Sequence, residues 1–217
     1  RIVDVGTCVV SSPALNMALD PLRATMAGIL PDGAAADAII NETDTGLDVL
    51  LRPHKRLALD LDKREALAAL ANRADFARLS WGARATPEPI IVRRTPLLVF
   101  GEAMVEPAPG AFLQASRRAE LTMRAAVAAW AGDASHLADL FAGIGALSLG
   151  RPGNLSLFES DHSAIAAVAA AARKIGGNRV TAHRRDLFRN PLIPAELDAF
   201  DAIVLDPPRA GATPRAR

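Results

Sequence analysis

Two acidic residues of this 217-residue chain follow short apolar segments at a spacing that suits nucleoside binding. Asp139 ends one predicted strand, and Gly143 and Gly145 follow it in a turn whose lack of side chains lets the backbone approach a ligand closely. Glu159 ends the next predicted strand, 20 residues further on, where an acid can accept both hydroxyls of a ribose. The pattern suits a nucleoside with a charged amino-acid tail, although Glu159 could instead open the helix that follows it.

The glycine turn differs from the fingerprint of dinucleotide-binding proteins. The third glycine of G-x-G-x-x-G would fall at Ser148, and Gly150 and Pro152 leave room for only a short helix after the turn. A pyrophosphate is usually held at the N-terminus of such a helix, so these residues disfavour a pyrophosphate clamp. A nicotinamide-dependent dehydrogenase therefore remains only as an alternative that the alternation of strands and helices suggests.

Two further acidic residues follow later predicted strands. Asp186 could face the amino group of an adenine, or it could cap the next turn. Asp206 follows the predicted strand Ala202–Leu205 and precedes Pro207 and Pro208. Because a residue before proline is kept out of the α region, the two prolines fix an extended turn and hold Asp206 at the edge of the sheet where ligands bind.

The elements that would position these acids form a parallel, doubly wound α/β sheet in the second half of the chain. Short apolar strands alternate there with helices, a pattern that places the carboxyl ends of the strands at one edge. The predicted strands are His136–Phe141, Asn154–Glu159, Val180–His183 and Ala202–Leu205, and the predicted helices are Arg117–Trp130 and Ser163–Ile175.

The first half of the chain predicts a smaller α+β unit with mainly antiparallel strands. Pro107-Ala-Pro-Gly110 interrupts the pattern, so we place a domain boundary between residues 106 and 107. Residues 1–10 are expected to be extended. The predicted helices run from Pro13 to about Leu30 and from Asp62 to Arg73, and the predicted strands are Ala38–Asn41, Leu47–Leu51, Phe76–Trp81, Pro89–Arg93 and Leu97–Phe100.

Composition excludes several classes of function. Half of the residues are apolar, the net charge is +1 and Tyr is absent, which suits a soluble globular protein without a stacking-rich nucleic-acid platform. The single cysteine, Cys8, cannot form an intramolecular disulfide, and we interpret it as a small buried hydrophobe in a cytoplasmic protein. No apolar run reaches membrane-helix length and the four histidines are dispersed, so we expect neither a membrane nor a metal partner.

The motifs of the second half resemble those of a known family. Asp139–Leu149 is similar to motif I of class I S-adenosylmethionine-dependent methyltransferases. Asp206-Pro-Pro-Arg209-Ala-Gly211 is similar to a motif of the RNA uracil-5-methyltransferases, which act on 23S rRNA and tRNA. Enzymes that methylate exocyclic amines usually carry an aromatic residue where Arg209 stands. Upstream, Phe112-Leu-Gln114-Ala-Ser116 resembles the family's Phe-x-Gln-x-Asn segment, with Ser116 in place of Asn.

The resemblance covers residues 107–217 and implies an α/β fold with a Rossmann-like methyltransferase core, whose sheet is incomplete in this chain. Residues 1–106 match only loosely, as the family's intervening α+β domain. The implied cofactor is S-adenosyl-L-methionine, and the implied partner is an rRNA or tRNA substrate. The predicted cofactor-binding residues are Gln114, Phe141, Gly143, Gly145, Ala146, Glu159, Asp186 and Asp206, and the predicted substrate-binding residues are Phe112 and Arg209. Ala146 stands where many members have Asn or Thr.

The resemblance also implies the chemistry. In the family, a cysteine thiolate adds to C6 of uracil, C5 then takes the methyl group, and a glutamate removes the C5 proton. The cysteine belongs to a Ser-Cys-Asn-Pro segment that follows the Asp-Pro-Pro-Arg motif, so both catalytic residues are expected beyond residue 217. We therefore expect a fragment that is inactive alone, and a non-catalytic RNA-binding module is the alternative.

Overall fold

A computed structural model describes residues 3–83, 85–175 and 178–208, which form two compact units. The first unit contains the chain up to Leu98 together with Pro109–Ser116. The second unit contains Val99–Ala108 together with the chain from Arg117 onward. Each unit therefore includes residues from both sides of the boundary that the sequence suggests.

The first unit is a four-stranded sheet with two helices. Its elements are α1 (Pro13–Ile29), β1 (Ala36–Thr43), β2 (Gly46–Pro53), α2 (Leu61–Arg73), β3 (Phe76–Trp81) and β4 (Glu88–Val92). β1 and β2 form the predicted antiparallel hairpin, and β3 and β4 are also antiparallel, whereas β2 and β3 run parallel. The parallel pair arises because α2 lies between the two strands and returns the chain to the starting end of the sheet.

Both helices of the first unit begin at a side chain that satisfies a backbone N–H group. Ser12 Oγ accepts a hydrogen bond from Leu15 N at 3.3 Å, and Asp60 Oδ1 accepts one from Lys63 N at 2.9 Å. The apolar faces of the helices then pack on the sheet. The resulting core contains Ala18, Leu22, Val49, Leu51, Leu67, Leu70 and Phe76.

A buried ion pair joins β2 to β3. Asp48 and Arg78 are partners in the strand register, and both are buried. Arg78 Nε donates to Asp48 Oδ1 at 2.8 Å, and its Nη2 donates to Oδ2 at 2.7 Å. A bidentate pair of this kind favours a single register, because a shift of one strand would separate two buried charges.

The second unit is built on a parallel sheet. Its elements are β5 (Leu98–Phe100), whose first residue is counted in the first unit, β6 (Ala103–Val105), α3 (Arg117–Ala131), β7 (His136–Leu140), β8 (Asn154–Glu159), α4 (His162–Ile175), β9 (Val180–Arg184), α5 (Pro194–Leu197) and β10 (Ala202–Leu205). β5 and β6 form a separate two-stranded sheet. The strands in the order β10-β7-β8-β9 run parallel, as predicted, so their carboxyl ends lie at one edge.

The prediction of a short helix after the glycine turn is wrong. Residues 141–150 form turns instead. Phe141, Gly143 and Gly145 take left-handed φ angles of 62°, 55° and 77°, so no right-handed helix runs through them, and residues 146–150 continue as turns. A compact loop therefore connects β7 to β8.

The interpretation of Cys8 as a buried residue is also wrong. Cys8 is only partly buried in the segment before α1. Its backbone N–H donates to Asn16 Oδ1 at 2.8 Å, and its carbonyl accepts a hydrogen bond from the Asn16 amide at 3.1 Å. Residues 3–10 contain no strand, and this asparagine connects the segment to the first turn of α1.

Candidate functional site

Three carboxylates lie at the carboxyl edge of the parallel sheet. Asp139 is near the end of β7, Glu159 is the last residue of β8, and Asp206 directly follows β10. In the strand register, Asp139 is paired with Leu157 on one side and Val204 on the other. Parallel strands end at the same edge of the sheet, so these three residues lie near one another although they are far apart in the sequence. Asp206 and Glu159 both act electrostatically on Asp139.

The carboxyl group of Asp139 is buried, and among the described residues one of its two oxygens has a hydrogen-bond partner. Its Oδ2 accepts a hydrogen bond from the buried Ser148 Oγ at 2.5 Å. Its Oδ1 is buried and has no hydrogen-bond partner among the described residues. A buried carboxyl oxygen without a donor is energetically costly, so Oδ1 is a candidate contact for a donor on a ligand.

Burial raises the pKa of Asp139 to about 7, and the negative charges of Asp206 and Glu159 act in the same direction. The hydrogen bond from Ser148 opposes them, because it stabilises the ionised form. The carboxyl therefore titrates near neutral pH. A cation placed beside it would favour its ionised form.

Glu159 is held in one orientation by backbone donors. Gly143 N donates to its Oε2 at 3.0 Å, while Ser160 N and Asp161 N donate to its Oε1 at 2.6 Å and 2.8 Å. The start of α4 is capped by Asp161, whose Oδ1 accepts from Ser163 N at 2.8 Å, so that cap does not depend on Glu159. Within the described residues Oε2 accepts only the bond from Gly143, which leaves capacity for a ligand hydroxyl.

The glycine turn is open on one side and packed on the other. A Cβ atom on Gly143 would meet no heavy atom within 4 Å, whereas one on Gly145 would lie 2.9 Å from Leu157 Cδ2. Gly143 therefore borders free space, and Gly145 packs against the sheet.

Phe141 has a left-handed backbone conformation, which costs roughly 1 kcal/mol. Its ring centroid lies 5.2 Å from that of Phe188. Strain of this kind is concentrated at functional sites.

Asp186 caps the turn that follows β9. Its Oδ1 accepts hydrogen bonds from Phe188 N at 3.0 Å and Arg189 N at 3.3 Å, and Arg189 Nε lies 3.5 Å from its Oδ2. Of the two roles that the sequence leaves open for Asp186, the capping role is the one visible in these contacts. Contact with an adenine would have to use Oδ2.

The predicted site residues are divided between the two units. The second unit contains Phe141, Gly143, Gly145, Ala146, Glu159, Asp186 and Asp206. Ala146 is half-buried in the glycine turn. Gln114, which is half-buried, and Phe112, which is 77% exposed, belong to the first unit. Arg209 and Gly211 lie outside the described residues.

Sequence reasoning missed the contact made by Ser148. In the sequence this residue counts only as the replacement for a third glycine. The structure places its hydroxyl on the carboxyl of Asp139, nine residues earlier. The available signal was a small polar residue between two leucines, Leu147 and Leu149, in the turn that follows a buried acid.

The arrangement gives no support to a dinucleotide or metal site. Residues 141–150 form turns, so β7 is not followed there by a helix N-terminus that could hold a pyrophosphate. In the part of the chain that the structure describes, no three His, Cys, Asp or Glu side chains are grouped as metal ligands. None of the helices in the same residues is long and apolar enough to cross a membrane.

The fold is that of a known class of enzymes. The chain is similar to the crystal structure of a tRNA (uracil-54, C5)-methyltransferase of Pyrococcus abyssi in complex with S-adenosyl-L-homocysteine. The TM-score is 0.69 over 100% of this chain and 56% of that chain, with 16% sequence identity. At this identity the likeness shows the fold alone, which is the Rossmann-like α/β fold of methyltransferases.

The chain is also similar in sequence to curated RNA methyltransferases, although no family model matches it. An uncharacterized RNA methyltransferase of Rhizobium meliloti (strain 1021) is 40% identical over 215 residues, 98% of this chain and 50% of that protein. The 23S rRNA (uracil(1939)-C(5))-methyltransferase RlmD of Chromohalobacter salexigens is 27% identical over 224 residues, 98% of this chain and 46% of that protein. The chain is similar in sequence to these RNA methyltransferases over nearly its whole length and spans about half the length of the curated relatives it matches.

The titration of Asp139 predicts how stability depends on pH. Its pKa in the folded chain, about 7, lies above the value of 3.8 for a free side chain, so between these values the folded chain binds a proton that the unfolded chain does not. The free energy of unfolding should therefore fall as the pH rises through this window. Asp139→Asn has no carboxyl to titrate, so its free energy of unfolding should not show this fall. Between pH 5 and pH 8, the free energy of unfolding of the variant minus that of the wild type should therefore increase by roughly 3 kcal/mol.

Urea denaturation of both proteins at pH 5, 6, 7 and 8 measures this difference. Asp75→Asn is the control, because Asp75 is an exposed carboxylate of the first unit whose pKa is lowered to about 2 by Arg94 and Arg93, which stay charged over this pH range. Parallel pH profiles for wild type and Asp139→Asn would contradict the assignment of a raised pKa to Asp139.

Proposed function

We propose that this chain supplies the S-adenosylmethionine-binding part of an enzyme that methylates C5 of uridine in rRNA or tRNA. The observation that carries the proposal is the buried, unpartnered Oδ1 of Asp139, beside Glu159 and Asp206 at the edge of a parallel sheet. In this proposal residues 107–217 are the first part of the methyltransferase domain, and residues 1–106 are the intervening domain. The whole protein would work in the cytoplasm, where its RNA substrate would be found.

Glu159 would bind the ribose of the cofactor. Three backbone N–H groups fix its carboxylate, so little side-chain entropy is lost when a ligand binds. Its Oε2 retains acceptor capacity, and the neighbouring Gly143 borders free space where a side chain would otherwise project. A ribose with two adjacent hydroxyls fits this combination of a fixed acceptor and an open backbone.

Asp139 would bind the ammonium group of the amino-acid tail. Its Oδ1 lacks a donor, and an ammonium group supplies both a donor and a positive charge. Three carboxylates near one another disfavour an anionic ligand and favour a cationic one. S-adenosylmethionine carries positive charge on both its ammonium and its sulfonium groups, which fits this electrostatic environment.

The other predicted contacts complete the proposed binding mode. Asp186 follows the strand next to β8, so its Oδ2 would accept a hydrogen bond from the adenine amino group. The half-buried Phe141 would contact the cofactor from its strained position in the turn. We further propose that Gly145, Ala146 and Asp206 line the cofactor.

The choice of uracil C5 is supported by one motif and by the names of two similar proteins. Asp206-Pro207-Pro208 lies at the end of β10, with Arg209 following it. Arg209 and the exposed Phe112 would contact the RNA. The similar proteins from Chromohalobacter salexigens and Pyrococcus abyssi are both named as uracil-C5 methyltransferases. The cysteine nucleophile and the glutamate base would come from a segment beyond residue 217.

Calorimetric titration with S-adenosylhomocysteine tests the cofactor site. We expect saturable binding to this chain and at least tenfold weaker binding to Glu159→Gln, because one of the ribose acceptors becomes a donor. Glu102→Gln is the matched control, since Glu102 is a highly exposed glutamate of the same unit. NAD should not bind. Equal affinity of wild type and Glu159→Gln, or saturable binding of NAD, would contradict the proposed site.

Transfer of a radiolabelled methyl group tests the reaction itself. The longer natural protein should label unmodified rRNA or tRNA, and digestion to nucleosides should place the label at C5 of uridine. A variant with Asp206→Asn should transfer far less label if Asp206 lies beside the methyl donor as proposed. Label on adenosine or guanosine would contradict the proposed specificity.

A further inference from the structure

We propose that Ser148 is a positioning residue that controls the protonation of Asp139 and so makes the binding of an amino-acid tail, through its ammonium group, depend on pH. The inference rests on the proposed function, because it concerns how the same site takes up its nucleoside. Nothing in the sequence pattern assigns this serine a role beyond the replacement of a glycine. The proposed role of Ser148 rests on its hydrogen bond with Asp139 and on the burial of both side chains.

Ser148 is fixed in the loop by its own backbone. Its N–H donates to Gly145 O at 3.2 Å, and its carbonyl accepts from Arg151 N at 3.2 Å. Its hydroxyl, which is buried, donates to Asp139 Oδ2 at 2.5 Å. A hydroxyl has a single proton to donate, so it satisfies Oδ2 and leaves Oδ1 for another donor.

The charges that act on Asp139 all oppose its ionisation. Glu159 acts from the end of β8, and Asp206 acts from the segment after β10. The loop between β7 and β8 contributes the uncharged hydroxyl of Ser148, which is the group that favours the carboxylate. Ser148 is therefore the part of the site that keeps the pKa of Asp139 near 7 instead of higher.

A titrating carboxyl that binds a cation must couple affinity to pH. When the ammonium of a ligand contacts Oδ1, it favours the ionised carboxyl, so binding below the pKa of Asp139 releases a proton. With a pKa of about 7, the affinity should rise by about tenfold from pH 6 to pH 8 and then level off. The ammonium group of the ligand stays charged throughout this range.

The ligand pair for the test is S-adenosylhomocysteine and 5′-methylthioadenosine, which share the nucleoside but differ in the amino-acid tail. Titrations at pH 6, 7 and 8 in two buffers of different ionisation enthalpy report both the affinity and the number of protons released. We expect S-adenosylhomocysteine to release close to one proton at pH 6 and close to none at pH 8. The binding of 5′-methylthioadenosine should not depend on pH in this way.

The variants separate the role of the hydroxyl from that of the fold. Ser148→Ala removes the donor and raises the pKa of Asp139, so the midpoint of the affinity profile should move to higher pH. Ser148→Thr keeps the hydroxyl and should restore the wild-type midpoint. Asp139→Asn should remove the pH dependence altogether. A purely structural role for Ser148 would weaken binding equally at every pH and for both ligands.

Two outcomes would overturn the inference while leaving the proposed function intact. The first is saturable binding of S-adenosylhomocysteine with the same affinity at pH 6 and pH 8. The second is a profile whose midpoint is unchanged in Ser148→Ala. Failure of the proposed function gives a different result, because neither ligand would then bind to the wild-type chain at any pH.

Discussion

Desolvation of the Asp139 carboxyl is the constraint around which the second unit is arranged. The group lies on β7, one of the two inner strands of the four-stranded parallel sheet, between Leu157 and Val204, and only 1% of the residue is exposed. One hydrogen bond from Ser148 offsets part of the cost. The remaining cost is what makes an ammonium-bearing ligand a suitable partner, because such a ligand supplies the missing donor and the missing charge together.

A second buried aspartate in the same chain shows why the state of Asp139 is informative. Asp48, in the first unit, is fully enclosed but receives two hydrogen bonds from Arg78, and this pair holds two strands in register. Its charge is matched within the protein. Asp139 is as deeply buried, but among the described residues its side chain accepts a hydrogen bond only from the Ser148 hydroxyl, and two further carboxylates act on it electrostatically. Burial alone therefore does not distinguish Asp139 from Asp48, whereas burial without a matching donor does, and the proposed site rests on that difference.

The sequence predicts the strands well because apolar segments and turn residues define them locally. The strand at Ala202–Leu205 and the hairpin around Gly46 follow from this pattern. The loop after Asp139 could not be predicted in the same way. Its backbone is set by left-handed residues, one of which is Phe141, and no local propensity indicates a left-handed phenylalanine.

The same distinction holds for the candidate site, where the residues could be predicted from the sequence but their contacts could not. Asp139, Glu159 and Asp206 could be selected from the sequence because each follows an apolar strand, and parallel strands bring their ends together. The hydrogen bonds that determine their behaviour could not. Contacts such as Ser148 to Asp139 and Gly143 to Glu159 depend on how the loop folds back, and sequence spacing does not contain that information. The partial burial of Cys8 and its backbone hydrogen bonds with Asn16 likewise could not be read from composition.

The most direct test of the account is to map S-adenosylhomocysteine on the nitrogen-15-labelled chain by amide NMR. The account predicts shifts of the amides that hold Glu159 (Gly143, Ser160 and Asp161) and of Ser148 beside Asp139. Asn41 and Asp48 of the first-unit sheet should be unaffected. Shifts confined to the first unit, or none at saturating ligand, would contradict the claim that this sheet edge is the cofactor site.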